Sequence, residues 1–408
     1  MSRERLGEAL RQLYARVPLG MRLGLTPMKD ACARAGNPER SFEAVHIGGT
    51  NGKGSVCAMV ESIARATGQK TGLFTSPHLS RFAERIRING EPVSDDALVE
   101  CLEEALSIGA DLSFFETATL AAFLAFRSAK VDLAVLEVGI GGRLDATNVI
   151  ETAKATAITK VALDHQDKLG NTLVEIAREK AAIGKSGVPM VIGTVPEDVR
   201  FEIERVCRSL KGKPEFIDDE RIPKIKVASP LPGLYQTANV RVAARIGVHL
   251  GADEAAITRG LSNAKWPGRF EWVEHATGPV LLDAAHNPDG MLAFVASLSA
   301  IKSRVASAPM VLVFGALADK EWAEMIDIAA SHFEHRVYTV PKGRAAVRPD
   351  AINERHQGIV DEDPKSAYRT ARAIAGEKGL VVVAGSIFLV GEIRGELLEI
   401  PSDPVVAL

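Results

Sequence analysis

The chain has 408 residues, beyond the roughly 250 to 300 at which one core stops growing, so two domains are expected. Hydrophobic residues at 46% and charged residues at 25% exclude a disordered or fibrous chain, and a formal net charge of −3 excludes a global attraction to nucleic acid or anionic lipid. The 4 cysteines, Cys32, Cys57, Cys101 and Cys207, form no C-x-x-C pair, which argues against a disulfide framework and a structural zinc site and for a reducing cytoplasm.

The N-terminal run Met1-Ser2-Arg3-Glu4-Arg5 continues as a mixed polar stretch without the apolar core of a signal peptide. No long uncharged apolar span follows, so a cytoplasmic protein with no membrane contact is expected. Apolar runs at 43–47, 70–74, 131–137, 155–159 and 188–192 are predicted strands with amphipathic helices between them. Helices are predicted at 237–250 and from 253 to 261, after which Trp266-Pro267-Gly268-Arg269 breaks the pattern with turn chemistry. That break is the expected domain boundary, giving domains of 1–270 and 271–408. Further strands at 280–283, 310–314, 336–340 and 380–384 alternate with helices in a smaller second domain. This alternation is that of an α/β protein with a mostly parallel sheet, and ligands commonly sit between such domains.

Residues 44–47 lead as a strand into Gly48-Gly49-Thr50-Asn51-Gly52-Lys53-Gly54-Ser55, and an apolar helical run starts near Val56. Glycines let the backbone approach closely with N–H groups turned toward phosphate oxygens, and the helix N-terminus adds a favourable dipole. Lys53 would reach the β- and γ-phosphates, and Ser55, or a water it holds, a Mg²⁺ ion. The spacing departs from the common P-loop formula, because Ile47 stands five before Gly52 and Gly54 separates Lys53 from Ser55.

The buried run 131–137 ends in Glu137, where open α/β sheets bind ligands, so this hard oxygen donor is a candidate Mg²⁺ ligand. The glycines that follow, Gly139, Gly141 and Gly142, lack the G-x-G-x-x-G spacing of a dinucleotide loop. His165 lies between Asp164 and Asp167, which could orient its ring, and could ligate a second metal. Lys180, one turn from Ile176, reads from its helix alone as a snorkelling lysine. His286 and Asn287 follow a second-domain strand, where Pro288 and Gly290 also suit a simple turn.

Taken in order, these segments resemble the Mur-ligase superfamily and, within it, the folylpolyglutamate synthase and dihydrofolate synthase family. The resemblance runs through residues 49–55, Thr75-Ser76-Pro77-His78-Leu79, Glu84-Arg85-Ile86, residues 115–119, 136–148, Leu163-Asp164-His165 and Arg178-Glu179-Lys180. It continues through Gln236 with Asn239, Trp266-Pro267-Gly268-Arg269, residues 283–288 and 315–320. Gly48, Ala182 and Ala284 depart from the usual alanine, glycine and glycine, and none of these changes removes a polar side chain.

By that resemblance Gly49, Thr50, Asn51, Gly52, Lys53, Gly54 and Ser55 hold the ATP phosphates, while Ser76 and Glu137 bind one Mg²⁺ and Glu137 with His165 a second. Lys180 matches a lysine that is carbamylated in this family. Asn239 and Arg269 match ATP contacts, and Asp283 and His286 match second-domain groups that meet the nucleotide on closure. The implied activity is ATP-dependent joining of L-glutamate to dihydropteroate, a reduced folate or both, through an acyl phosphate. Leu23-Gly24-Leu25, Met28 and Gly36-Asn37-Pro38 lie where bifunctional members bind the pterin. A monomer with small-molecule substrates is expected. Two rivals are a Mur ligase on a UDP-linked precursor and a P-loop switch protein. The first usually carries an additional N-terminal domain, for which the segment before Gly48 is short, and the second leaves Lys180 and residues 283–288 without a task.

Overall fold

The computed structural model describes residues 2–17, 24–220, 229, 231–305, 308–343, 345–401 and 403. Its first sheet has 8 strands in the order β4-β3-β2-β5-β1-β6-β7-β8. The strands are β1 (Glu43–Gly48), β2 (Thr71–Phe74), β3 (Ile86–Ile88), β4 (Glu91–Pro92), β5 (Leu133–Glu137), β6 (Ala155–Ile158), β7 (Pro189–Ile192) and β8 (Lys213–Phe216). All pairings are parallel except β2 with β3 and β3 with β4.

Side-chain alternation explains why the middle of this sheet is buried on both faces. From β1, Val45 and Ile47 join Val56, Met59, Val60 and Ile63 of the helix Lys53–Ala66, while Ala44 faces Phe74, Leu136 and Phe123 on the other side. Gly260 lets the helix Glu254–Asn263 lie against Ile63, because a Cβ there would sit 2.4 Å from the Ile63 Cα. The helix Gln236–His249 packs into the same core and brings Gln236 and Asn239 to the sheet's carboxyl edge.

The second sheet, order β13-β12-β11-β14-β10-β9, has 6 strands. They are β9 (Glu271–His275), β10 (Gly278–Asp283), β11 (Met310–Phe314), β12 (His335–Tyr338), β13 (Ile359–Val360) and β14 (Leu380–Ala384), with β9 antiparallel to β10 and the rest parallel. At the seam between the sheets, the helix Ile387–Leu397 meets the loop after β2, where Ser80 Oγ donates to the Gly391 carbonyl at 3.2 Å. A Cβ on Gly391 would lie 2.1 Å from the Leu79 oxygen, so this is backbone against backbone. Among the described residues no helix is long and apolar enough to cross a membrane.

Most strands occupy the runs read from sequence. The short β3, β4, β8, β9 and β13 are additional, and polar or partly exposed residues in them mask the apolar signal. Of the pterin segment read from sequence, Leu23 lies outside the described residues, Met28 is wholly buried in the core and Pro38 is buried too.

Candidate active site

Register sets the site. β1 and β5 are adjacent and parallel, with Ile47 opposite Glu137, so the glycine loop and the acidic strand end leave the sheet side by side. The chain goes from β1 to β2 on one side and from β5 to β6 on the other, which makes this edge a switch point of the sheet.

The loop after β1 is shaped by glycines where side chains cannot fit. Gly49 has φ of 141° and Gly52 of 88°, and a Cβ on them would meet Thr159 Oγ1 at 2.0 Å and Asn239 Oδ1 at 2.4 Å. Thr159, at the end of β6, donates to the Asn51 carbonyl at 2.7 Å, and Thr50 N donates to the Lys160 carbonyl at 2.6 Å. Lys53 starts the helix and donates Nζ to the Thr50 carbonyl at 3.0 Å, so its ammonium curls back over the loop. Gly54 lies against Trp266. Ser55 Oγ accepts from Gln236 Nε2 at 3.2 Å, and Gln236 Oε1 accepts from Asn239 Nδ2 at 2.8 Å.

Glu137 is 4% exposed and accepts from the Ser76 backbone N–H at 2.9 Å. Burial raises its carboxyl, opposed by Lys53, the Ser76 N–H and Arg269. Gly54, Ser76, His78, Glu137 and Arg269 line one cleft. The loop after Glu137 is fixed by Asp145, whose Oδ2 accepts from Gly139 N at 3.0 Å and Ile140 N at 3.1 Å.

His165 takes a left-handed conformation with φ of 52° ahead of the helix Gln166–Leu169. Burial and the Lys320 and Lys53 charges lower it to about 4 despite Asp164. Asp164 does not orient the ring as the sequence suggests, because its Oδ1 stands 3.9 Å from His165 Nε2. It serves the other domain instead, accepting from Lys320 Nζ at 2.7 Å and from Asn287 Nδ2 at 3.2 Å. Burial works to raise Asp164, but Lys320, His165 and His286 outweigh it and hold the carboxyl well below its usual range.

Lys180 differs from a snorkelling lysine. It is 4% exposed, it donates Nζ to the Gly49 carbonyl at 3.1 Å, and burial with the Lys53 charge lowers it to about 7. From the second domain, Asp283 ends β10 and accepts from Tyr235 Oη at 2.8 Å, Phe270 N at 2.9 Å and Ala285 N at 2.9 Å. His286 Nδ1 donates to the Ala284 carbonyl at 3.0 Å, so its Nε2 is the acceptor, and burial with the Lys320 and Arg269 charges lowers it to about 4.

Mur ligase middle domain sequences match residues 47–247, and the Mur ligase glutamate ligase domain matches residues 268–387. The dihydrofolate synthase/folylpolyglutamate synthase of Bacillus subtilis is 33% identical, over 94% of this chain and 97% of its own. The chain belongs to the folylpolyglutamate synthase/dihydrofolate synthase family. Among solved members, Escherichia coli FolC in complex with DHPP and ADP superposes with a TM-score of 0.83 at 29% identity, covering 93% of this chain and 94% of that one. The Yersinia pestis bifunctional folylpolyglutamate synthase/dihydrofolate synthase, complexed with AMPPNP and a Mn ion, gives 0.83 at 29% identity with coverage of 93% and 94%.

The family's two loops and their charged partners thus meet at one edge of the first sheet. Thr159, Tyr235, Lys160 and Asp289 carry no motif signal by themselves, and their parts in the site emerge only from the folded geometry.

Proposed function

We propose that this ligase joins L-glutamate to both dihydropteroate and reduced folates, with residues 1–270 binding ATP and pterin and 271–408 closing over glutamate as a monomer. The supporting observation is the side-by-side exit of the Lys53 loop and Glu137, faced across the cleft by Arg269. The substrate carboxylate attacks the γ-phosphorus of ATP and ADP leaves, giving an acyl phosphate. The glutamate amine then attacks the acyl carbon, phosphate leaves, and the nitrogen loses its proton.

Loop N–H groups with Lys53 and Arg269 neutralise the transferring phosphoryl group, and Gln236 and Asn239 pin the loop from outside. Asp283 and His286 meet the nucleotide from the second domain, and the His286 Nε2 lone pair has the polarity to take the amine proton. Among the described residues no group of three or more His, Cys, Asp or Glu side chains gathers for a metal. Glu137, buried with a single backbone donor beside the hydroxyls of Ser55 and Ser76, forms a hard oxygen set that suits Mg²⁺ completed by phosphate and water. Glu137 with His165 is the pair for a second ion. When bound, Mg²⁺ supplies charge neutralisation on the phosphate oxygens.

Lys180 has the properties carbamylation needs: a buried amine lowered to about 7, so that its neutral nitrogen can attack CO₂ and release a proton. Phosphate release from ATP with Mg²⁺ and L-glutamate, with dihydropteroate or tetrahydrofolate in separate reactions, tests the reading. Activity with both pterins supports it, activity with one narrows it, and silence with both overturns it.

A further inference from the structure

We propose that Asn287 is a positioning residue for the phosphate loop: its amide pairs with that of Asn51, so the loop keeps its ATP-binding shape only while the second domain is docked. The inference rests on the ligase reading above and confines acyl-phosphate formation to the closed enzyme.

Asn51 sits inside the loop, and both ends of its side-chain amide are held by the second domain. Asn51 Nδ2 donates to Asn287 Oδ1 at 3.1 Å and to Asp289 Oδ2 at 2.8 Å, while Asn287 Nδ2 donates back to Asn51 Oδ1 at 3.1 Å. The orientation of each amide is determined by its neighbours. Asp289 and Asp164 are carboxylates that can only accept, so the NH₂ groups must face them, and Asn287 Oδ1 also accepts from Gly290 N at 2.8 Å. Asn287 is 2% exposed and is therefore fixed by its own helix start before it touches the loop.

Ion pairs flank the amides on either side. Lys160 Nζ lies 2.5 Å from Asp289 Oδ1, and Lys320 Nζ lies 2.7 Å from Asp164 Oδ1, each pair crossing between domains. The charges balance, and the amides between them are neutral, so the contact adds no net repulsion to a polyphosphate arriving in the loop. The Thr159 hydroxyl meanwhile holds the Asn51 main chain at 2.7 Å, which leaves side-chain direction as what docking decides.

Asn287→Asp keeps an oxygen for Gly290 N and for Asn51 Nδ2 but faces a carboxylate toward Asn51 Oδ1 and Asp164, breaking the reciprocal pair without emptying the site. The full chain is assayed with ATP, Mg²⁺, L-glutamate and tetrahydrofolate or dihydropteroate, with phosphate and amide product measured in the same reaction and the melting temperature recorded. Asn287→Asp is expected to raise KM for ATP about tenfold, to lower kcat about 10- to 100-fold, and to release more phosphate per amide formed than the wild type, because acyl phosphate meets water. Combining it with Asn51→Ala should add no further loss. A wild-type KM and phosphate-to-amide ratio, or additive losses in the double variant, overturns the proposal. Should Asn287→Asp fail to fold, Asp289→Asn, which weakens the grip on Asn51 Nδ2, is held to the same two readouts. A wild type that shows no glutamate-dependent phosphate release fails the ligase reading instead; the latch is then judged by binding of a fluorescent ATP analogue, where unchanged affinity of the variant overturns it.

Discussion

The Lys180 ammonium donates to the Gly49 carbonyl at 3.1 Å and enters no ion pair among the described residues, although the helix surface that carries it holds charged partners for others. A cation so placed is relieved by losing its proton, and the sign of the pH dependence follows. Its pKa is about 7 folded against 10.5 for the free side chain, so between these values the unfolded chain binds the extra proton and stability rises with pH. Below about 7 both states are protonated and the burial penalty stands in full. In carbonate-free buffer, Lys180→Met should remove this slope and stabilise the protein at pH 6 by on the order of a few kcal/mol, checked by urea unfolding at several pH values.

The same amine should make activity respond to bicarbonate. Stimulation by added bicarbonate is expected at pH 8 and should fade as pH drops through about 7, where the nitrogen lone pair is lost to a proton. Lys180→Met should show no stimulation at any pH, which initial rates with and without bicarbonate will reveal.

Glu137→Gln should leave the fold intact, because burial already raises this carboxyl and an amide relieves that burden. Turnover should fall about 100- to 1,000-fold or more, together with the Mg²⁺ dependence of nucleotide binding. A variant with normal rates removes Glu137 from the proposed metal role.

Asp145→Asn tests the loop beyond it. Asp145 Oδ2 accepts from Gly139 N and Ile140 N, and Oδ1 accepts from Thr147 N at 3.0 Å, so an NH₂ on either side meets donors. Destabilisation of about 1–3 kcal/mol is expected in denaturant titrations.

Gly52→Ala carries strain from its φ of 88° and pushes its Cβ onto Asn239, 2.4 Å away. Loss of ATP affinity by about tenfold or more is expected by calorimetry, with the second domain's own unfolding unchanged.

How much of this was legible in the sequence depended on where the physical signal lies. β11 and β14 coincide with their apolar runs because every residue between their ends is buried, whereas β9, with Trp272 largely exposed, has no such run. The Lys53 loop announces itself because close backbone approach demands adjacent glycines. Lys180 was misread as snorkelling because helical spacing gives its face but not what covers that face, here the loop carbonyl of Gly49. Asn51 and Asn287 are 236 positions apart, and nothing local in either segment predicts that their amides meet.

The seam between the sheets holds a contrast in mechanics. At Gly391 main chain presses on Leu79 with no room for a methyl group, a contact that can roll but not re-form partner by partner, while at Asn287 the contact is polar and can be exchanged for water. A joint that is stiff at one point and renewable at the other opens like a clamshell, with Ser76 near the pivot and the glycine loop at the mouth. Substrate bound beside Ser76 would then stay in place while ADP and phosphate leave from the wide end, an arrangement suited to extending one chain repeatedly.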